Sequence, residues 1–200
     1  MFENIRADLR QARMINAGTD WVNQYLKVLI QPTTAAVVVY RLGRAVRRCP
    51  VPVMRHVLLL LIGVVRYVVE IATGVIISPK ADIGPGFVVH TSYGVFVGPT
   101  KIGVNCVVQH GVVISYGVRG IGDNVYFGPG AKVIGNAKIG NNVLVAANSL
   151  VVSDVPDNTT VMGVPARIRL PRGRTLKFRS RSERGNGFEN ISKRELAPKG

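Results

Sequence analysis

Between Ile121 and Val151 an aliphatic or aromatic residue returns at every sixth position: Ile121, Phe127, Val133, Ile139, Val145 and Val151. An amphipathic helix repeats every 3.6 residues and a half-buried strand every two, so neither gives this interval directly. The same spacing occurs earlier, in Ile77, Ile83 and Val89 and again in Ile102, Val108 and Ile114. Thirteen residues separate the first two blocks and seven the last two, which predicts bulges or loops in TSYGVFVGPTK and SYGVRG. Four places after most leading residues stands a small or β-branched one: Ala81, Cys106, Val125, Ala131, Ala137, Val143, Ser149 and Val155. Glycine often follows the leading residue directly, as at Gly84, Gly103, Gly122, Gly128 and Gly140. A chain that turns every six residues explains these features. A short strand puts one large aliphatic inward, a small residue fills the tight corner, and Gly or Asn takes the turn conformations. Three faces close one coil, and coils stack at the ~4.8 Å spacing of strands. About ninety residues then make roughly five coils of a parallel β-helix.

The pattern divides the chain into three parts. Residues 1–74 read as an α-helical N-terminal region, 75–170 as the β-helix, and 171–200 as a basic, disordered tail that has lost the period. In the first part, ENIRADLRQARM and DWVNQYLKVLI have mixed apolar and charged periodicity. Pro32 then interrupts, and TTAAVVVYRLGRAVRR predicts a helix with Thr33 and Thr34 as N-caps, although its β-branched run disfavours helix. CPVP at 49–52 breaks the chain before an apolar helix that Gly74 stops. The longest uninterrupted apolar run there, Val57 to Val65, is nine residues, against roughly 20 for a membrane span. Arg66 and Glu70 fall four apart, a pairing distance on one helix face. The expectation is a buried helix, with His56 packed or interfacial, and with contact between the basic N-terminal half and an anionic membrane surface left as the lesser alternative.

The net charge is +15, with ten Lys and Arg against four acids before residue 75, seven against four in the repeat, and nine against three in the tail. The basic excess lies mainly in the flanks. The tail has one aromatic, Phe178, near its basic cluster and Phe188 beyond it, which speaks against single-strand nucleic acid stacking. Cys49 and Cys106 show neither metal-ligand spacing nor a disulfide framework, and Cys106 reads as packing. No metal is expected. The polar opening MFENIRADLRQARM is no signal peptide, and a cytoplasmic setting is expected, at most peripheral to a membrane.

The run IGDNVYFGPGAKVIGNAKIGNNVLVAANSLVVSDVPDNTTVMGVPARI, with its VSDVP and GVPAR, resembles the hexapeptide-repeat acyltransferases, in the serine O-acetyltransferase branch. FENIRADL and VYRLGRAV also resemble the helical N-terminal part of that family. The resemblance implies a mainly β fold, a left-handed parallel β-helix preceded by helices, in a homotrimer that uses acetyl-CoA as co-substrate. It implies acetyl transfer to a hydroxyl, of serine or of a sugar.

Such a reaction needs a base for the hydroxyl proton, and histidine suits it with an ordinary pKa of roughly 6.5. His90, in IGPGFVVHTSYGVFVG, resembles the segment that carries the family's catalytic histidine. It follows an inward Val89 just before a phase slip, so it is expected outward, near a groove between subunits; a surface or turn histidine is the alternative. His110, in CVVQHGVVIS, matches a position that holds Gln or His in relatives, for an acceptor-binding or a structural role. Gly128 and Ala147 match positions where relatives approach the pantetheine, with plain corner packing as the alternative, and Arg167 of GVPAR matches a basic residue that can reach the nucleotide phosphates.

The departures concern the acceptor. Where the family pairs its histidine with an Asp or Glu, GVIISPKADIG has Ile76, and it has Ser78 where the family has His. The acid just before the catalytic histidine is absent, the short SYGVRGIG lacks a His-Pro pair, and Asp82 is a weak substitute. The terminal Ile used for docking onto cysteine synthase is absent from LAPKG. A sugar hydroxyl, as in the acetyltransferases of polysaccharide gene clusters, is therefore an alternative to serine in cysteine biosynthesis. A non-catalytic β-helix scaffold is the remaining alternative.

Overall fold

The structure, a computed structural model, describes residues 2–15, 32–48 and 50–169. Helices α1 (Phe2–Ile15), α2 (Pro32–Val46) and α3 (Pro52–Thr73) precede fifteen short strands. Strands β1 (Val75–Ile77), β4 (Val95–Val97), β7 (Val113–Ile114), β10 (Lys132–Val133) and β13 (Leu150–Val151) stack into one face. A second face holds β2 (Asp82–Ile83), β5 (Lys101–Ile102), β8 (Gly120–Ile121) and β11 (Lys138–Ile139). The third holds β3 (Val88–Val89), β6 (Val107–Val108), β9 (Tyr126–Phe127), β12 (Leu144–Val145), β14 (Thr160–Met162) and β15 (Arg167–Arg169). All pairings are parallel except β14–β15, where the chain folds back over the last coil. The result is a three-faced parallel β-helix of about five coils.

All twelve residues of the sixfold ladder are buried, and so are the eight small or β-branched residues four places on. The thirteen-residue gap hides one more rung, since Val97 of β4 is also buried; the chain takes eight residues from Val89 to Val97 and five to Ile102. Both slips fall in the expected segments, with Tyr93 and Gly94 at φ 75° and 70° in one and Gly117 at 85° in the other.

The glycines that follow leading residues have a different cause from the one expected. At Gly122 a Cβ would lie 2.7 Å from the carbonyl carbon of Gly140 in the next coil. Gly128 is in the same position against the backbone of Ala147, also at 2.7 Å. These sites need close approach, not unusual torsions. The left-handed corners belong to other residues, above all Asn105, Asn124, Asn142 and Asn158, each near φ 55°. Their side-chain amides bond in a ladder down one edge, Asn124 to Asn142 at 3.1 Å and Asn142 to Asn158 at 2.9 Å. Asparagine tolerates this conformation because its short polar side chain bonds locally.

The first coil has no earlier coil to pair with, and α2 takes that place. Tyr40 donates its hydroxyl proton to the Ala81 carbonyl at 2.7 Å, and Arg41 donates to the Ile83 and Gly84 carbonyls at 2.5 and 2.6 Å. Arg41 also pairs with Asp8 of α1 at 2.9 Å, and Asp8 accepts from the Phe87 backbone N–H at 2.9 Å. Burial pushes the Asp8 carboxyl above its ordinary range, and the Arg41 guanidinium offsets part of that rise. Pro32 begins α2, at a position where its missing N–H costs nothing. Thr33 and Thr34 consequently lie inside the helix and not at its N-cap, and the β-branched run is held helical by burial of Val37, Ala36 and Tyr40. The segment DWVNQYLKVLI, Cys49 and the tail lie outside the described residues.

Helix α3 ends as expected, with Gly74 at φ 62° donating to the Glu70 carbonyl, and Arg66 bonds Glu70 at 2.5 Å. It is not a buried helix, however. Only Thr73 is buried, and Leu60, Val53 and Ile71 are 71%, 73% and 68% exposed. One flank of α3 packs on α2 and the first coil through Leu59, Ile62, Arg66 and Val69, which line a cleft of about 110 Å³. The rest faces outward because the coil end is already covered by α2. His56 is likewise exposed, its Nδ1–H donating to the Pro52 carbonyl at 2.6 Å.

Replacing Asp8 by Ala leaves a buried guanidinium without its counter-charge. Urea unfolding should show a loss of about 3 kcal/mol, and a loss under about 1 kcal/mol would mean that Arg41 is held by the carbonyls alone.

Candidate active site

Strand register decides which residues meet along the edge that follows the third face. Val89, Val108, Phe127, Val145 and Val161 are successive Cα partners. The residues that follow them stack in turn: His90, Gln109, Gly128, Ala146 and Met162. The hydrogen bonds continue the register, from His90 N–H to the Val108 carbonyl at 2.9 Å and from Gly128 N–H to the Val145 carbonyl at 2.8 Å. His110 turns the corner in the second coil and Ala147 in the fourth, while Arg167 pairs with Met162 at the end of the column. All five candidate residues thus lie along one edge, from the first coil to the last, over a length of about 24 Å at the usual strand spacing.

Their exposures differ. His90 is half-buried, His110, Ala147 and Arg167 are exposed, and Gly128 is buried against the fourth coil. Gly128 is therefore a packing residue whose lack of a side chain keeps the column flat; its own atoms are not at the surface. Burial lowers the His90 imidazole below its ordinary pKa, so the neutral, proton-accepting form prevails at neutral pH. Next to it runs a polar chain that sequence reasoning missed. The His110 backbone N–H donates to Thr91 Oγ1 at 2.9 Å, and His110 Nδ1 lies 3.1 Å from the same oxygen. Thr91 Oγ1 is also 3.3 Å from Gln109 Oε1, and Gln109 Nε2 donates to the Tyr126 hydroxyl at 3.0 Å. One signal for Gln109 was present: the place after the leading aliphatic, glycine in many units, is polar at His90 and Gln109.

Asp82, weighed as a partner for His90, is on the second face and is bound by Arg44 at 2.5 Å. Ile76, in the place of the expected carboxylate, is on β1 with its side chain 41% exposed. Cys106 is fully buried, donates to the Gly122 carbonyl at 3.2 Å, and has its thiol pushed up to about 12, so it is inert packing. Two cavities among the described residues lie against the helices, and neither is lined by His90. The edge itself is an open strip.

Residues 120–153 match the bacterial transferase hexapeptide (six repeats) family. A serine acetyltransferase of Synechococcus elongatus is 33% identical over 177 residues, covering 84% of this chain and 68% of the relative. The chain belongs to the serine O-acetyltransferase branch of the hexapeptide-repeat acyltransferases. It is an acyltransferase, and its reaction is acetyl transfer of the serine acetyltransferase type. A serine acetyltransferase of Staphylococcus epidermidis is 40% identical over 112 residues, about half of each chain at 52% and 53%. Among solved structures, the Neisseria gonorrhoeae serine acetyltransferase in complex with serine superposes with a TM-score of 0.67 at 30% identity, over 84% of this chain and 69% of that one. A serine acetyltransferase in complex with CoA gives 0.69 at 25% identity, over 83% and 68%.

The lowered basicity of His90 has a measurable sign. Below pH 6.5 the unfolded chain takes up this proton before the folded one does, so the stabilising contribution present above that pH is lost as pH falls. An NMR titration of His90 should give a midpoint below 6.5, and a midpoint at or above it would remove the case for a desolvated base.

Proposed function

We propose that this acyltransferase moves the acetyl group of acetyl-CoA to a hydroxyl group, with His90 as general base. The observation that carries this reading is the single edge on which a half-buried histidine, a polar network and a side-chain-poor column succeed one another. The neutral imidazole takes the proton of the acceptor hydroxyl as its oxygen attacks the thioester carbonyl. The tetrahedral adduct collapses with loss of the CoA thiolate, which takes that proton back, giving an ester and free CoA. His110 and Gln109, tied through Thr91, orient the acceptor one coil further along.

The fit to acetyl-CoA rests on the column below His90. Ala146 and Ala147 present backbone and at most a methyl group, and the buried Gly128 beside them adds no side chain, so a pantetheine arm can lie close to the coils. Arg167, exposed at the far end, suits the nucleotide phosphates. A neighbouring copy in a homotrimer would wall the open strip on its other side, in a cytoplasmic enzyme. Relatives named as serine acetyltransferases support serine as one acceptor. The apolar Ile76 favours the second, a sugar hydroxyl, because an amino acid's carboxylate and ammonium need charged partners that a neutral sugar does not.

Release of CoA from acetyl-CoA, measured with L-serine and with a panel of sugars and nucleotide sugars, tests this directly. His90→Ala should lower kcat/KM by about 100-fold or more; a loss below about tenfold would give the proton to another group. Arg167→Ala should raise the KM for acetyl-CoA about tenfold, equivalent to about 1.4 kcal/mol, and leave kcat unchanged.

A further inference from the structure

Helix α3 is long and apolar enough to cross a membrane by length and composition, yet it is neither at the N-terminus nor buried in the core. Val53, Val57, Leu60, Val64, Val68 and Ile71 recur at intervals of three or four and are all more than half exposed. Leu61 and Tyr67, also exposed, widen this stripe on either side. The outward face is therefore broader than the two-in-seven seam of a helix pair and carries no charged residue. The charges sit at its N-terminal end. Arg47 and Arg48 are exposed just before the helix, Arg55 lies in its first turn, two places from both Val53 and Val57 and so off the stripe, and among the described residues none of the three is in an ion pair. Glu70, the one acid of α3, is taken by Arg66.

We propose that α3 lies in the surface of an anionic lipid bilayer, its apolar face among the acyl chains and its arginine end on the phosphates. A spanning orientation conflicts with the fold. The chain enters β1 directly after Gly74, and α2, which packs along α3, is bound to the first coil by Tyr40, Arg41 and Arg44, so both ends of α3 stay on one side. A second copy is a poorer occupant. Two such faces would bring together chains of net charge +15, with no polar group on the face to set a register. An apolar stripe flanked by cations is instead the pattern that binds lipid interfaces. The inference goes beyond acetyl transfer and does not depend on it.

The test is co-sedimentation of the full chain with vesicles of phosphatidylcholine and phosphatidylglycerol in equal parts. Binding is expected, weaker by at least about tenfold on phosphatidylcholine alone, which offers the arginines no anionic surface. The variant Leu60→Gln/Val64→Gln/Val68→Gln should lose at least about tenfold in binding with its melting temperature unchanged, since all three side chains are exposed. No binding to the anionic vesicles overturns the proposal. So does undiminished binding of the glutamine variant, which would assign the attraction to the basic tail. A particle mass in solution that falls in the glutamine variant, without vesicle binding, overturns it in favour of a second copy on this face. None of these readouts involves an acyl acceptor, so they stand or fall separately from the enzyme assay.

Discussion

The structure depends on how closely successive coils approach. Backbone groups of one coil bond directly to those of the next, as when Gly103 donates to the Ile121 carbonyl at 2.9 Å and Gly122 to that of Ile139 at 2.9 Å. At this distance a corner position has no room for a Cβ over its neighbour, so glycine is required where Gly84, Gly103, Gly122, Gly128 and Gly140 stand. The same spacing stacks identical side chains, which is why asparagines form a ladder on one edge and aliphatics fill the centre. A β-helix is thus specified by nearest-neighbour contacts between coils, with no need for distant parts of the chain to meet.

Such a stack has two open ends, and exposed strand edges invite unwanted pairing. Here the ends are closed by different means. Helix α2 satisfies the first coil's carbonyls with side chains, anchored by the buried Arg41–Asp8 pair, while β15 turns back to pair with β14 at the last coil. Covering the first coil by side-chain hydrogen bonds uses up one helix and leaves the next, α3, without a core to join. The exposed apolar helix is a consequence of how the coil end was sealed.

The candidate edge follows from the same geometry. Strand register converts positions eighteen or nineteen apart in sequence into neighbours about 5 Å apart, so a histidine, a glutamine and a run of small residues become one strip. Burial lowers the His90 imidazole below its ordinary pKa, and the two residues before it, Val88 and Val89, line a cavity of about 20 Å³ with Asp8, Leu9 and Thr33.

By itself the sequence determined the β-helix, its number of coils, the inward ladder from Ile77 to Val151 and the small residues at the corners, because each of these is a contact between positions a fixed interval apart. It also marked His90 and Arg167 through family resemblance. It could not show the Thr91–Gln109–Tyr126 chain, since those residues meet only when two phase slips have set the register of three coils. It misassigned the glycines, because close approach and positive φ select the same residue and only coordinates tell them apart. It also placed α3 in the core. Composition says that an apolar helix wants burial, but whether a surface is left to bury it is decided by the neighbours, and α2 had already taken that surface.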